Sequence, residues 1–339
     1  MRWSPLQVGV LSAAMAAWAT GQASQAPKPA MQPFSFFHPV ARLGSDEIDG
    51  IRSGRVVTRA IHSSGHDVAV LAAGSLKITA DAFISRVTDI VQLRRSRVVP
   101  AIARFSSPPT IDDLAALTLT EEEVKGLGEC RPADCALKLA DAEIRRMQAA
   151  LAGGGVDRHS TAQRTFREIL LERVRTYLDG GLGALPPYYD KNRPVDVAEA
   201  FGQLVGRSGY LDRAPQLKAS LGRPAATGVM ASYVYWSIED FGRRRVIRVT
   251  HVVIVRPGVV GLPNVLVGST QVYASHYLDA ALAVTTLEPG PGDIAFLGYL
   301  YRAHVDLLGS FLARRIAKRR IEGGVERLFV HQLERLQDR

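Results

Sequence analysis

The sequence predicts an α+β protein: an antiparallel sheet, a long helix that follows it, and a helical insertion within it. Three observations carry this reading. Residues 231 to 306 run β-type with no helical stretch between them, so neighbouring strands must pair as a meander. Two earlier β runs are separated by Ser-Gly and lead into an amphipathic helix. The last thirty or so residues carry apolar side chains at helical spacing. The chain has 339 residues, 47% hydrophobic and 22% charged, which is a globular composition and excludes a disordered one.

Element by element, "GRVVTRAIHSS" (54–64) and "HDVAVLAAGSLKI" (66–78) read as a hairpin. "TADAFISRVTDIVQL" (79–93) reads as a helix, with Thr79 or Asp81 as cap and Phe83, Val87, Ile90 and Val91 on one face. "RSRVVPAIARFS" (95–106) is extended, and Pro100 places it at an edge or a bulge. Residues 107–155 change texture to short helices and are expected as a helical insert. "STAQRTFREILLERVRTYLDGG" (160–181) is the clearest helix, capped by Ser160 and stopped by Gly180–Gly181. "PVDVAEAFGQLV" (194–205) is a shorter one beginning at Pro194. "ASYVYWSIEDFGRRRVIRVTHVVIV" gives two strands joined at 240–243. "NVLVGSTQVYASHYLDAALAVTTLEPG" gives one long strand or two joined at a kink, and "DIAFLGYLYRAH" gives another. The terminal helix is expected to break at Gly323–Gly324, leaving a separate amphipathic helix over 323–339.

The N-terminus addresses the compartment. Arg2, an uncharged Ala-rich stretch from Leu6 to Thr20, and small residues at Gly21 and Ala23 form a secretory signal pattern over 1–23. The mature protein is therefore expected to be exported, either periplasmic or secreted. Residues 24–45 are Pro-, Ser- and Ala-rich and read as a flexible linker. Cys130 and Cys135 are the only cysteines, with Pro132 between them to turn the chain. Export permits a disulfide there, closing a loop so short that it stabilises by only roughly 2 kcal/mol. The formal net charge of +9 favours anionic surroundings. Export argues against nucleic acid, whereas Arg314, Arg315, Lys318, Arg319 and Arg320 would suit an anionic membrane surface.

The segments "SLKITADAFISRVTDIVQL" and 231–320 resemble the opening and closing elements of the START and polyketide-cyclase-like superfamily. The order of hairpin, helix, irregular helical section, meander and long C-terminal helix is similar to its helix-grip fold. The resemblance implies a curved antiparallel sheet wrapped around the C-terminal helix, spanning a domain over 46–322, with a ligand cavity between them. It also implies a hydrophobic small molecule or lipid as partner. Segments such as "YASHYLDAALAVT" and "CRPADC" resemble exported bacterial proteins of unknown function.

The candidate ligand residues are Tyr235, His251, Tyr273, Tyr277 and Arg302. If 267–277 is one strand, Tyr273 and Tyr277 share a face and His276 points away from them. His251 shares an apolar face with Ile247, Val249, Val253 and Val255, where a hydrogen-bonded core residue is the competing role. Tyr235, Ser237 and Glu239 alternate with Trp236 and Ile238. Arg302 and Asp306 straddle the last strand and helix, where an ion pair is one option. The eight histidines lack metal-ligand spacing, and no phosphate-binding glycine loop, nucleophile elbow or dinucleotide fingerprint is present, so no metal or cofactor is expected. Two other functions stay open at this point. One is a cavity-based cyclase, dehydratase or hydrolase with His251 or His276 as base and a tyrosine as acid. The other is a structural role in envelope assembly.

Overall fold

The computed structural model describes residues 32–135, 137–153, 157–190, 193–224, 227–240, 244–306 and 311–337. The expected signal segment, the first part of the linker and most of the 240–243 turn lie outside the described residues.

Ser45–Arg52 forms the first helix, α1. Val57–Ile61 (β1) and Asp67–Lys77 (β2) make the expected hairpin, with Val57 opposite Ala73. Thr79 caps Ala80–Thr88 (α2) by accepting the Ala82 N–H. Asp89 ends that helix and caps the next, Ile90–Arg94 (α3), through the Gln92 N–H, so the helix expected over 79–93 is two helices. Ala101–Arg104 (β3) is an edge strand, as Pro100 requires.

The helical insertion does not stop near residue 155 but runs on to the next sheet strand. It contains Glu121–Gly128 (α4), Asp141–Ala152 (α5), Arg158–Gly180 (α6), a small hairpin of Tyr188–Asp190 (β4) and Arg193–Val195 (β5), Val197–Gly206 (α7) and Pro215–Ser220 (α8). Two caps differ from expectation: Asp157, not Ser160, caps α6, and Asp196 caps α7 while Pro194 sits in β5. Cys130 and Cys135 are joined by a disulfide, with their Cα atoms 4.2 Å apart.

The meander follows: Ala231–Asp240 (β6), Arg245–Val255 (β7), Val265–Ala274 (β8), Leu278–Pro289 (β9) and Ile294–Val305 (β10). The eight-stranded sheet has the order β1-β2-β10-β9-β8-β7-β6-β3, and its neighbours pair antiparallel. Phe311–Gln337 (α9) then crosses the sheet in the helix-grip arrangement. The helix is continuous through Gly323–Gly324, contrary to the expected break. Val325, Leu328, Phe329, Leu333 and Leu336 are all buried, and that packing outweighs a glycine penalty of about 1 kcal/mol each.

The sheet divides two cores. On one face Val70, Tyr235, Val252, Val267 and Leu297 meet α2, α3 and α9. On the other, Leu71, Trp236, Val249, Leu282 and Leu300 meet the insertion and the N-terminal segment. The insertion therefore backs the sheet on the face away from α9. Gly74 in β2 allows α9 to sit down, since a Cβ there would lie 2.8 Å from Leu333 Cδ1.

The described part of the expected flexible linker is not a loose arm. Phe34, Phe36 and Phe37 are buried, and Phe36 and Phe37 pack edge-on against Tyr210. Three phenyl rings in four positions bury too much apolar surface to stay in water. Phe34 N–H donates to Glu288 Oε2 at 2.7 Å, while Glu288 Oε1 has no partner among the described residues. Burial pushes the Glu288 carboxyl up from 4.5 to about 7. A carboxyl with a raised pKa in the fold stabilises it below the unfolded value and loses that contribution as pH rises through the folded one. Stability should thus fall between pH 4.5 and about 7 on account of Glu288. Glu288→Gln keeps the acceptor for Phe34 and removes the charge. It is expected to raise stability at pH 8 by about 1–3 kcal/mol and to give no gain at pH 4, read by denaturant melts at both. An equal effect at both values would contradict this.

Candidate functional site: a cavity under the C-terminal helix

The α9 helix rests on β1 and β2 at one side of the sheet and on α3 at the other. Between these supports the central strands carry small side chains upward: Ser269 on β8, and Ala281, Ala283 and Thr285 on β9. Small residues under a bridging helix leave space. The result is a cavity of about 510 Å³, in the range that holds a small-molecule ligand. Phe83, Val87, Leu297, Leu328 and Phe329 form apolar walls. Arg244, Ile316 and Arg320 border it and are exposed, which marks the mouth.

One wall is charged. Arg94 from α3 and Arg248 from β7 both reach Glu239 on β6, at 3.0 and 2.9 Å. Ser237 Oγ also donates to Glu239 at 3.0 Å. Burial alone would raise the Glu239 carboxyl, but the charges of Arg248 and Arg94 hold it below its ordinary range. Tyr235, Tyr299 and Tyr301 line the same wall, with the Arg94 guanidinium 5.6 Å from the Tyr235 ring centre. Burial raises the Tyr299 and Tyr301 phenols, so both are neutral.

Of the five candidate ligand residues, Tyr235 and Tyr277 line the cavity. His251, Tyr273 and Arg302 do not; they face the insertion. His251 is a core histidine, its ring nitrogens 2.8 Å from the hydroxyls of Tyr177 and Ser232. Burial lowers it to about 4, so it is a neutral ring. Tyr273 is turned by a bulge. Val249 pairs with Tyr273 but Thr250 with Gln271, which leaves Val272 as an extra residue and moves Tyr273 to the outer face. There it packs near Phe166 and beneath Arg173. Tyr277 lies in the turn after β8 with φ of 64°, so strand alternation never linked it to Tyr273. Arg302 pairs with Asp67 at 2.9 Å, not with Asp306.

Asp306 instead meets Lys138 of the insertion at 2.7 Å. Lys138 also reaches Asp279 at 2.9 Å and donates to the Leu278 carbonyl. Tyr188 OH donates to Asp279 at 2.8 Å. Burial would raise the Asp279 carboxyl, but hydrogen bonds from His304, Lys138 and Tyr188 hold it well below the usual carboxylate range. This buried cluster ties the insertion to the ends of β9 and β10. His276 sits in the turn between β8 and β9, beside Tyr277. No histidine lines the cavity among the described residues, so neither His251 nor His276 is placed as its base.

No protein-family model matches the chain, and no curated protein matches it. Among solved structures it is similar to a START superfamily protein from Mycobacterium smegmatis, with 10% sequence identity and a TM-score of 0.24. The match covers 42% of this chain and 90% of that one. The helix-grip arrangement lies in this chain's own eight-stranded antiparallel sheet and the α9 helix packed against it.

Arg94 and Arg248 are cavity residues that the sequence pattern does not single out, whereas Glu239 shares the strand face already read for Tyr235. A signal existed for Arg248: within "RVIRVTHVVIV" it is a cation inside an apolar strand, which demands a partner. That the partners would come from Arg94 and Glu239 required the strand pairing.

Proposed function

We propose that the protein is an exported binder of a hydrophobic or lipid-like small molecule, carried between the sheet and α9. The mostly apolar cavity under the helix, open at one mouth, supports this above all. The disulfide suits an oxidising compartment, in keeping with the signal-like N-terminus. Arg315, Arg319 and Arg320 are exposed on the part of α9 near the mouth, where they would meet an anionic membrane surface; the Arg314 side chain lies outside the described residues. Lys318 donates to the Ser63 carbonyl nearby.

Filling the cavity tests the reading. Ala283→Trp places an indole in the void from the middle of β9. It is expected to weaken uptake of an apolar fluorescent probe by about a hundredfold or more while the thermal melt stays cooperative. Unchanged uptake by a folded Ala283→Trp variant would remove the cavity from the account.

A further inference from the structure

We propose that the cavity takes an amphiphile with one anionic head, a carboxylate on an apolar body, and that Arg94 and Arg248 hold the head. This rests on the cavity being a binding site and names the class of molecule it selects. The charge count motivates it. Two guanidiniums share one carboxylate, so the wall keeps an excess of one positive charge facing an apolar space. The side chains of Arg94, Arg248 and Glu239 are 10%, 11% and 1% exposed, so water does little to offset that excess. The neighbouring phenols of Tyr299 and Tyr301 are neutral and supply no counter-charge.

The hydrogen bonding agrees. Both Glu239 oxygens are already engaged, one with each arginine. The Nε atoms of Arg94 and Arg248 are buried with no partner among the described residues. Each is a donor left over, and a carboxylate accepts from arginine in a fork geometry. Polar provision continues along the same face. Thr250 and Gln271 are paired across β7 and β8, are 3% and 2% exposed, and line the cavity. Thr250 Oγ1 and Gln271 Oε1 have no partner among the described residues. A pure hydrocarbon would offer these donors and acceptors no partner. A molecule with its anionic end against this wall would meet the two guanidiniums there, with Thr250 and Gln271 beside it.

The test is a matched series on the wild-type mature protein: hexadecanoate, hexadecanol and methyl hexadecanoate, each titrated by displacement of a neutral apolar fluorophore. Hexadecanoate is expected to bind about tenfold or more tighter than the other two. Arg248→Gln leaves Arg94 and Glu239 as a balanced pair and so keeps the fold. It should abolish the preference, so that the acid and the alcohol bind alike, and Arg248→Lys should retain part of it. Equal binding of all three to the wild type would overturn the anionic-head inference but keep the binding cavity. Binding of none of them, with no fluorophore uptake either, would overturn both.

Discussion

Lys138→Met is expected to cost about 3–5 kcal/mol of folding stability, because it removes a buried cation that bridges two buried carboxylates, Asp279 and Asp306. Asp279 and Asp306 would then face each other with a methyl thioether between them. The methionine fills similar volume, so the loss reports charge and hydrogen bonding, not a cavity. The effect should depend on pH in a definite direction. In the native protein the Asp279 carboxyl lies below its ordinary 3.8, so its contribution is present above that value and lost as pH falls through the folded one. In the variant the carboxyls gain by protonation. Denaturant melts should therefore show the deficit at pH 7 shrinking by pH 4. A deficit under 1 kcal/mol at pH 7, or one that grows in acid, would contradict the role given to Lys138.

Glu239→Gln should cost a similar 3–5 kcal/mol, for the opposite charge reason. It leaves Arg94 and Arg248 as two buried cations with no anion between them. Gln keeps an acceptor oxygen but neutralises neither guanidinium. If the head of an anionic amphiphile sits here, the variant is the protein most in need of it. Saturating hexadecanoate should then restore a larger part of its stability than it adds to the wild type. Ligand at about a hundredfold over its Kd contributes about 2.7 kcal/mol by mass action, and tighter binding to the variant contributes more. Differential scanning fluorimetry with and without the acid measures both. Wild-type stability in the variant would show that the arginines do not depend on Glu239.

Much of the fold was legible because it is written in local patterns. The hairpin, the edge strand after Pro100, the meander and the long terminal helix all follow from periodicity and turn residues. The site was less so. Strand alternation grouped Tyr235 with Ser237 and Glu239, and Tyr235 and Glu239 line the cavity, but alternation failed beyond Gln271, where one bulged residue reverses the face of everything that follows. His251 drew notice as a histidine on an apolar face, yet that face belongs to the insertion, whose full extent no turn signal announced. The arginine–glutamate wall joins α3, β6 and β7, and a contact between positions so far apart in the chain leaves no local pattern. The N-terminal aromatics show the reverse error: "FSFFHP" sits in a linker-like composition, and apolar burial overrode it.

The proposed binding function puts an apolar molecule in the space under α9. The most direct measurement is mass spectrometry of an organic extract from the chain expressed with its own N-terminus and purified from the periplasm without detergent, beside the Ala283→Trp variant. The intact mass of the same sample reports whether the chain is cut after Ala23. A near-stoichiometric apolar acid is expected in the native extract, with little or none from the variant. A folded native protein with an empty extract, or the same compound in equal amount from the filled variant, would contradict it.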